Sequence, residues 1–207
     1  MKVATFGFEL EFFLRDSAGV FVKAPDSLAA YRDDCGYLVE ARGDPSKCPL
    51  EARWLMHAAF VKLSRDASAA GLELVAAPTA KLPSETLRLC LREFGKSSAK
   101  SYYMYGKCYK TLKPRAGLHI HFAGAEHVAK TDSGAHVSYR DHLNVPAIIR
   151  RMDIAFDKEI KQARRVPGEY ELKHYGFEYR SLPSGIDLDC VADFLYLNLA
   201  RSGGYTL

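Results

Sequence analysis

Strict alternation at the start of the chain limits what it can fold into. Between Val3 and Leu14, the residues Phe6, Phe8, Leu10 and Phe12 fall on one side of an extended backbone, and Glu9, Glu11, Phe13 and Arg15 fall on the other. A period of two is the strand signature, and here it splits one strand into an apolar face that needs cover and a face that carries two carboxylates. The pattern returns three times. Glu40 shares a face with Arg42, His119 with His121, and Glu178 with Arg180, while Val39, Ile120, Phe177 and Tyr179 take the intervening apolar positions. Strands buried on both sides read as continuous apolar runs, so alternation favours a largely antiparallel or mixed sheet with helices on one side, an α+β fold. The polar face is then left open as a trough.

Other segments fill in the outline. Asp16-Ser-Ala-Gly19 is turn-like, with Val20–Val22 returning as a hairpin. Gly36–Ala41 reads as a second main strand, broken by Asp44-Pro45. Leu50–Ala70 carries Leu50, Trp54, Leu55, Ala58 and Val61 at helical spacing and stops at Gly71. Leu72–Ala77 reads as a short strand, Ser84–Phe94 as a helix capped by Ser84, and Tyr102–Tyr109 as a tyrosine-rich strand. Gly117–Ala123 and Tyr175–Leu182 are strands. Val145–Arg165 is read as one long helix and Asp187–Arg201 as a closing helix with Asp187 at its N-cap. With no internal repeat and no linker, residues 1–207 are read as a single domain.

Composition narrows the function classes. A chain of 207 residues that is 48% hydrophobic and 26% charged is long enough to bury a core. No apolar run reaches the roughly 20 residues of a membrane helix, and Glu9 and Glu11 interrupt the region where a signal peptide would be apolar. No membrane role is expected. Cys35, Cys48, Cys90, Cys108 and Cys190 are scattered, with no CxxC pair, which reads as reduced thiols in a cytoplasmic protein. A net charge of +4 permits an anionic substrate without arguing for nucleic acid, and Gly106-Lys107 lacks the rest of a phosphate-binding loop. Lys107, Lys110, Lys113 and Arg115 form a local basic stretch that suits either a solvated loop or a phosphate contact.

If the four strands share one sheet, Glu9, Glu11, Glu40 and Glu178 meet His119 and His121 on one concave surface. Arg42 and Arg180 cannot neutralise every carboxylate there. Divalent cations can, and carboxylate oxygens with a few imidazole nitrogens suit Mg²⁺ or Mn²⁺. Taken singly, each motif has a plainer meaning: a polar edge for Glu-x-Glu, satisfied histidines or a zinc site for His-x-His, and a cross-strand ion pair for Glu-x-Arg.

Taken in order, GFELEF, DDCGYLVEARGDPS, GLHIHF and FEYRSLPSG resemble the glutamine synthetase and glutamate–cysteine ligase superfamily, and in particular its small amidoligase (COOH–NH2 ligase) branch in bacteria, phages and fungi. These motifs span Gly7 to Gly185. The resemblance implies a curved antiparallel sheet whose concave face holds metal ions and ATP, and an ATP-dependent ligase that joins a carboxylate to an amine through an acyl phosphate. By position, Glu9 and Glu11 would ligate two different metals. Glu40 would join Glu11 at one, and His119 and Glu178 would join Glu9 at the other. His121 would sit by the nucleotide and Arg180 on the transferring phosphate. Arg42, Lys113 and Arg115 are candidates for further phosphate or carboxylate contacts, and Asp33, Asp34 or a non-ligating glutamate could take the amine's proton. The next acid after Glu40 departs from the superfamily's spacing, since Asp44 and Glu51 are the nearest candidates. Expected partners are small-molecule or peptide carboxylates and amines, with a homo-oligomer possible because glutamine synthetase builds its site between subunits. Competing readings are a zinc-dependent hydrolase using His119, His121 and a glutamate, a guanidino kinase, and an inactive binding protein of the same fold.

Overall fold

The computed structural model describes residues 3–33, 36–80, 82, 100–101, 103, 115–124 and 143–200. The helix expected at Ser84–Phe94 and the strand expected at Tyr102–Tyr109 lie outside this set apart from Tyr103, as do Lys113 and Asp34.

The alternating N-terminal segment forms the longest strand, β1 (Val3–Arg15), and it organises the sheet. It pairs with β2 (Phe21–Val22), β4 (Leu38–Arg42), β5 (Glu73–Val75) and β7 (Gly117–Gly124). Beyond β7 come β9 (Gly176–Pro183), β8 (Glu169–Lys173) and β6 (Lys100–Ser101); β3 (Arg32–Asp33) lies outside β4. Every strand pairing among the described residues is antiparallel, and the sheet curls into a half-barrel. The α+β class with a curved, mainly antiparallel sheet is therefore observed.

The covered face is the one the alternation indicates. Phe6, Phe8, Leu10, Phe12, Val39, Ala41, Leu118, Ile120, Phe122, Phe177 and Tyr179 are all buried in one continuous core. Phe122 stacks on Phe177 with centroids 4.8 Å apart. Against this face lie α1 (Pro49–Ala69), α2 (Val145–Ala155) and α3 (Asp157–Gln162), and α4 (Leu188–Leu195) packs on α1. A smaller cluster of Phe13, Leu38, Leu82 and Ala116 forms on the opposite face, at one end of the trough. Phe13 belongs there by parity with Glu9 and Glu11.

Two helices differ from expectation. In α1 the stripe containing Trp54, Ala58 and Val61 faces outward, and the core takes Ala52, Met56, Leu63 and Ala67. Two apolar stripes compete on this helix, and the one with smaller residues permits the closer approach. A Cβ added at Gly43, just after β4, would lie 2.8 Å from the backbone N and Cα of Met56. The segment read as one helix from Val145 to Arg165 is broken at Phe156 (φ −117°, ψ 25°), whose ring is buried edge-on against Phe194, 5.4 Å between centroids. The closing helix begins as expected, with Asp187 accepting hydrogen bonds from the Asp189 and Cys190 amides, and it continues as a wider π-turn over Tyr196–Ala200.

Gly43→Ala should therefore lower stability by about 1–3 kcal/mol, because backbone must move away from the new methyl. Gly185→Ala, whose Cβ meets its nearest neighbour at an ordinary 3.7 Å, should stay within about 0.5 kcal/mol of the parent in urea unfolding.

Candidate metal and substrate site

The open face of the half-barrel collects the polar pairs. The register sets Glu9 opposite both Arg42 and His119, Glu11 opposite Glu40, and His121 opposite Glu178. The strands bring together Glu9, Glu11, Asp33, Glu40, Arg42, His119, His121, Glu178 and Arg180, all singled out in the sequence. They add Glu171 and Lys173 from β8, and Tyr175 from the turn before β9. The β8 residues follow the same alternation as the other strands, Glu169-Tyr-Glu-Leu-Lys173, so that signal was present in the sequence. Arg115 stands at the start of β7, half-buried.

Two acid-rich cradles result. Ligand atoms of Glu9, His121 and Glu178 lie within 4.8 Å of one another, and so do those of Glu11, Asp33 and Glu40. Glu9 and Glu11 are two residues apart on β1, so the cradles are set about 7 Å apart along the strand. His119, nearly fully buried, forms the wall between them. Its Nδ1 is 3.0 Å from Glu178 and 3.8 Å from Glu9, and its Nε2 is 3.3 Å from Glu11. His121 completes the first cradle geometrically, and His119 Nδ1 stands beside it. Its Nδ1 meets the Tyr175 hydroxyl at 2.5 Å, a contact that turns Nε2 toward Glu9 at 2.9 Å. That Nε2 approach is an ion-pair contact without hydrogen-bond alignment, so the ring nitrogen still lacks a bonded partner.

The electrostatics show a site short of positive charge in one half and balanced in the other. Burial and repulsion from Glu9 and Asp33 outweigh the Arg42 guanidinium 2.5 Å away and push the Glu40 carboxyl up to about 8. Burial would also raise Glu9 and Glu178, yet hydrogen bonds and charge from the histidines hold both well below the usual carboxylate range. Burial and Arg180 oppose protonation of His119, but Glu11 and Glu178 prevail and raise it well above its ordinary 6.5. Glu11 spends one oxygen on the Gly117 amide, 2.8 Å away, and keeps the other for the second cradle. Arg180 donates to Glu178 at 2.7 Å and Glu171 at 3.3 Å, and Lys173 reaches Glu178 at 2.8 Å. Glu178 thus gathers three cationic groups, a strong local demand for positive charge.

These donors fit a hard divalent cation. Carboxylate oxygens dominate, one imidazole contributes, and a cation with bonds of about 2.1 Å spans ligand atoms roughly 3–4.2 Å apart, so each cradle closes with small side-chain rotations. Tyr175 on His121 is the kind of outer partner that fixes a ligating ring. Beside the first cradle lies a cavity of about 390 Å³ bounded by Thr5, Gly7, Glu9, Gly43, Pro45, His121, Ala123 and Tyr175. That volume suits a small organic ligand. The small residues Gly7 and Ala123 form its floor, and the apolar cluster around Phe13 closes the far end of the trough.

Comparison with known proteins gives no match to a family model and none to a curated protein. Among the described residues no helix is long and apolar enough to cross a membrane.

A divalent cation entering the second cradle would have to displace protons. Glu40 is raised from its ordinary 4.5 to about 8, so the folded metal-free chain binds more protons than the unfolded chain across that interval. The stability Glu40 contributes is complete below 4.5 and is lost as pH rises through 8. His119, also raised, acts in the same direction above 6.5. Thermal unfolding should show stability falling from pH 6 to 9 without metal, less steeply in Glu40→Gln. Titration calorimetry of Mn²⁺ in buffers of different ionisation enthalpy should show proton release near pH 7 that diminishes in the same variant.

Proposed function

We propose that the chain is an ATP- and Mg²⁺-dependent carboxylate–amine ligase of the amidoligase kind. The observation that carries this reading is the pair of carboxylate-rich cradles on the concave face of an antiparallel half-barrel, with Arg180 beside them. Two cation sites next to a guanidinium suit phosphoryl transfer, which asks a protein for positioning and charge neutralisation more than for covalent chemistry. The order of motifs along the chain, and their resemblance to the glutamine synthetase superfamily, point the same way.

A carboxylate is a poor acyl donor because its leaving group would be oxide. In the proposed reaction a substrate carboxylate oxygen attacks the γ-phosphorus of ATP, the bond to ADP breaks, and an acyl phosphate forms. An amine then attacks the acyl carbon, phosphate leaves, and the amine loses a proton. Mg²⁺ or Mn²⁺ held by Glu9, His121 and Glu178, and by Glu11, Asp33 and Glu40, would offset charge on the phosphate oxygens. Arg180 presents a planar fork of donors to the transferring group, and its present contacts with Glu178 and Glu171 hold it at the cradle's rim. Arg42 plays the matching part beside Glu40. His119, fixed from both ring nitrogens, keeps Glu11 and Glu178 in place and lies within reach of the first cradle. Where Glu11 and Glu40 hold the second cation without it, Asp33 would instead take the amine's proton. Arg115 would be a further contact for a substrate carboxylate or phosphate.

The zinc hydrolase reading draws less support from the geometry. It needs both imidazoles on one ion, and the ring nitrogens of His119 are turned toward Glu178 and Glu11 on opposite sides.

Mg²⁺ together with a non-hydrolysable ATP analogue should raise the melting temperature by several degrees, since a ligand at 100 times its dissociation constant adds about 2.7 kcal/mol. Glu178→Gln should fold, as seen by circular dichroism, and lose that shift. Stabilisation by zinc with no response to nucleotide would reject the ligase in favour of the hydrolase.

A further inference from the structure

The apolar middle of the outward stripe of α1 has no use in the fold or in the trough, while at its ends Glu51 accepts a hydrogen bond from Ser46 and Arg65 lies 3.3 Å from its neighbour Asp66. Trp54, the chain's one tryptophan, is 72% exposed there, and Val61 is 53% exposed. Glu51, Ala58 and Lys62 are also exposed, and the Arg65 side chain is 75% exposed. At 100° per residue these six positions fall within a sector of about 100°, a single helix face. Along the axis the order is acid at Glu51, apolar from Trp54 through Ala58 to Val61, then base at Lys62 and Arg65.

Such a stripe is complementary to itself when reversed. A second α1 laid antiparallel, with the two Ala58 residues at a two-fold axis, sets Glu51 against Arg65 of the partner subunit. The same alignment sets Trp54 against Val61 of the partner subunit, with the stem of the partner's Lys62 over the indole. Each contact occurs twice, as an isologous interface requires. The small side chain of Ala58 lets the helix axes approach within about 8–10 Å. The helix dipoles also oppose in this antiparallel arrangement, with Glu51 in the first turn of each helix. We infer that α1 is the dimer interface of this protein, through an antiparallel pairing centred on Ala58. The inner side of α1 covers the sheet's apolar face, so both troughs stay open on the far sides of the dimer. This inference is independent of the chemistry proposed for the trough.

One helix pair makes a small interface, so a weak dimer is expected. Sedimentation velocity and tryptophan emission, followed from about 1 μM to about 500 μM, test it. A monomer–dimer transition with a blue shift of the single tryptophan is expected over the same concentrations. Arg65→Glu places like charges opposite each other at both ends and should weaken the dimer about tenfold. Combining it with Glu51→Arg should restore association, and circular dichroism checks that each variant folds. A monomer throughout the range overturns the inference. So does a dimer indifferent to Arg65→Glu, or an emission already blue-shifted in the monomer, which would mean that another part of the same chain covers Trp54.

Discussion

Three glutamates converge on a nearly dry sheet face because His119 stands among them. Glu11 and Glu178 are almost fully buried, and each would cost several kcal/mol as an unpaired ion. The imidazole answers both, one from each ring nitrogen, and leans on Glu9 as well. Since Glu11 lies on β1, His119 on β7 and Glu178 on β9, this one side chain ties the polar face across three neighbouring strands. The apolar face below locks the same strands in register through Phe6, Phe8, Ile120, Phe122 and Phe177. A slip of one residue would send the carboxylates into the core and the phenylalanines into the trough. Fold and site are two sides of one alternation.

The halves of the trough differ in what they lack. Around Glu178, Arg180, Lys173 and His119 supply positive charge, and the carboxylate stays ionised. Around Glu40 the acids Glu9, Asp33 and Glu11 outweigh Arg42, and the carboxyl holds its proton into the neutral range. A cation in the second cradle would exchange with a proton. A cation in the first would displace arginine and lysine from Glu178, freeing those side chains for an anionic substrate. Arg180 and Lys173 would then serve the site in either state, on the carboxylate or on the ligand.

Much of this was legible in the chain. Period two placed Glu9, Glu11, Glu40, His119, His121, Glu178 and Arg180 on one face, because side-chain direction in a strand depends on parity alone. Asp33 was legible as a titratable candidate, though its two-residue strand was not. Lys173 was within reach of the same parity rule on β8, whereas Tyr175 escaped notice because its role depends on the β8–β9 turn folding back over His121, which no local pattern encodes. The same holds for α1, where two apolar stripes compete and only tertiary approach at Gly43 decides between them. The break at Phe156 was likewise hidden, since local helical pattern continues through it and only the contact with Phe194 interrupts it.

The proposed chemistry requires the trough to hold two divalent cations in separate cradles. Electron paramagnetic resonance of bound Mn²⁺, titrated against the protein near pH 8, counts them directly. The account predicts two Mn²⁺ per chain, with spin coupling from their closeness, one lost in Glu178→Gln and the other in Glu40→Gln. A single Mn²⁺ per chain that both variants abolish, or none at all, would contradict it.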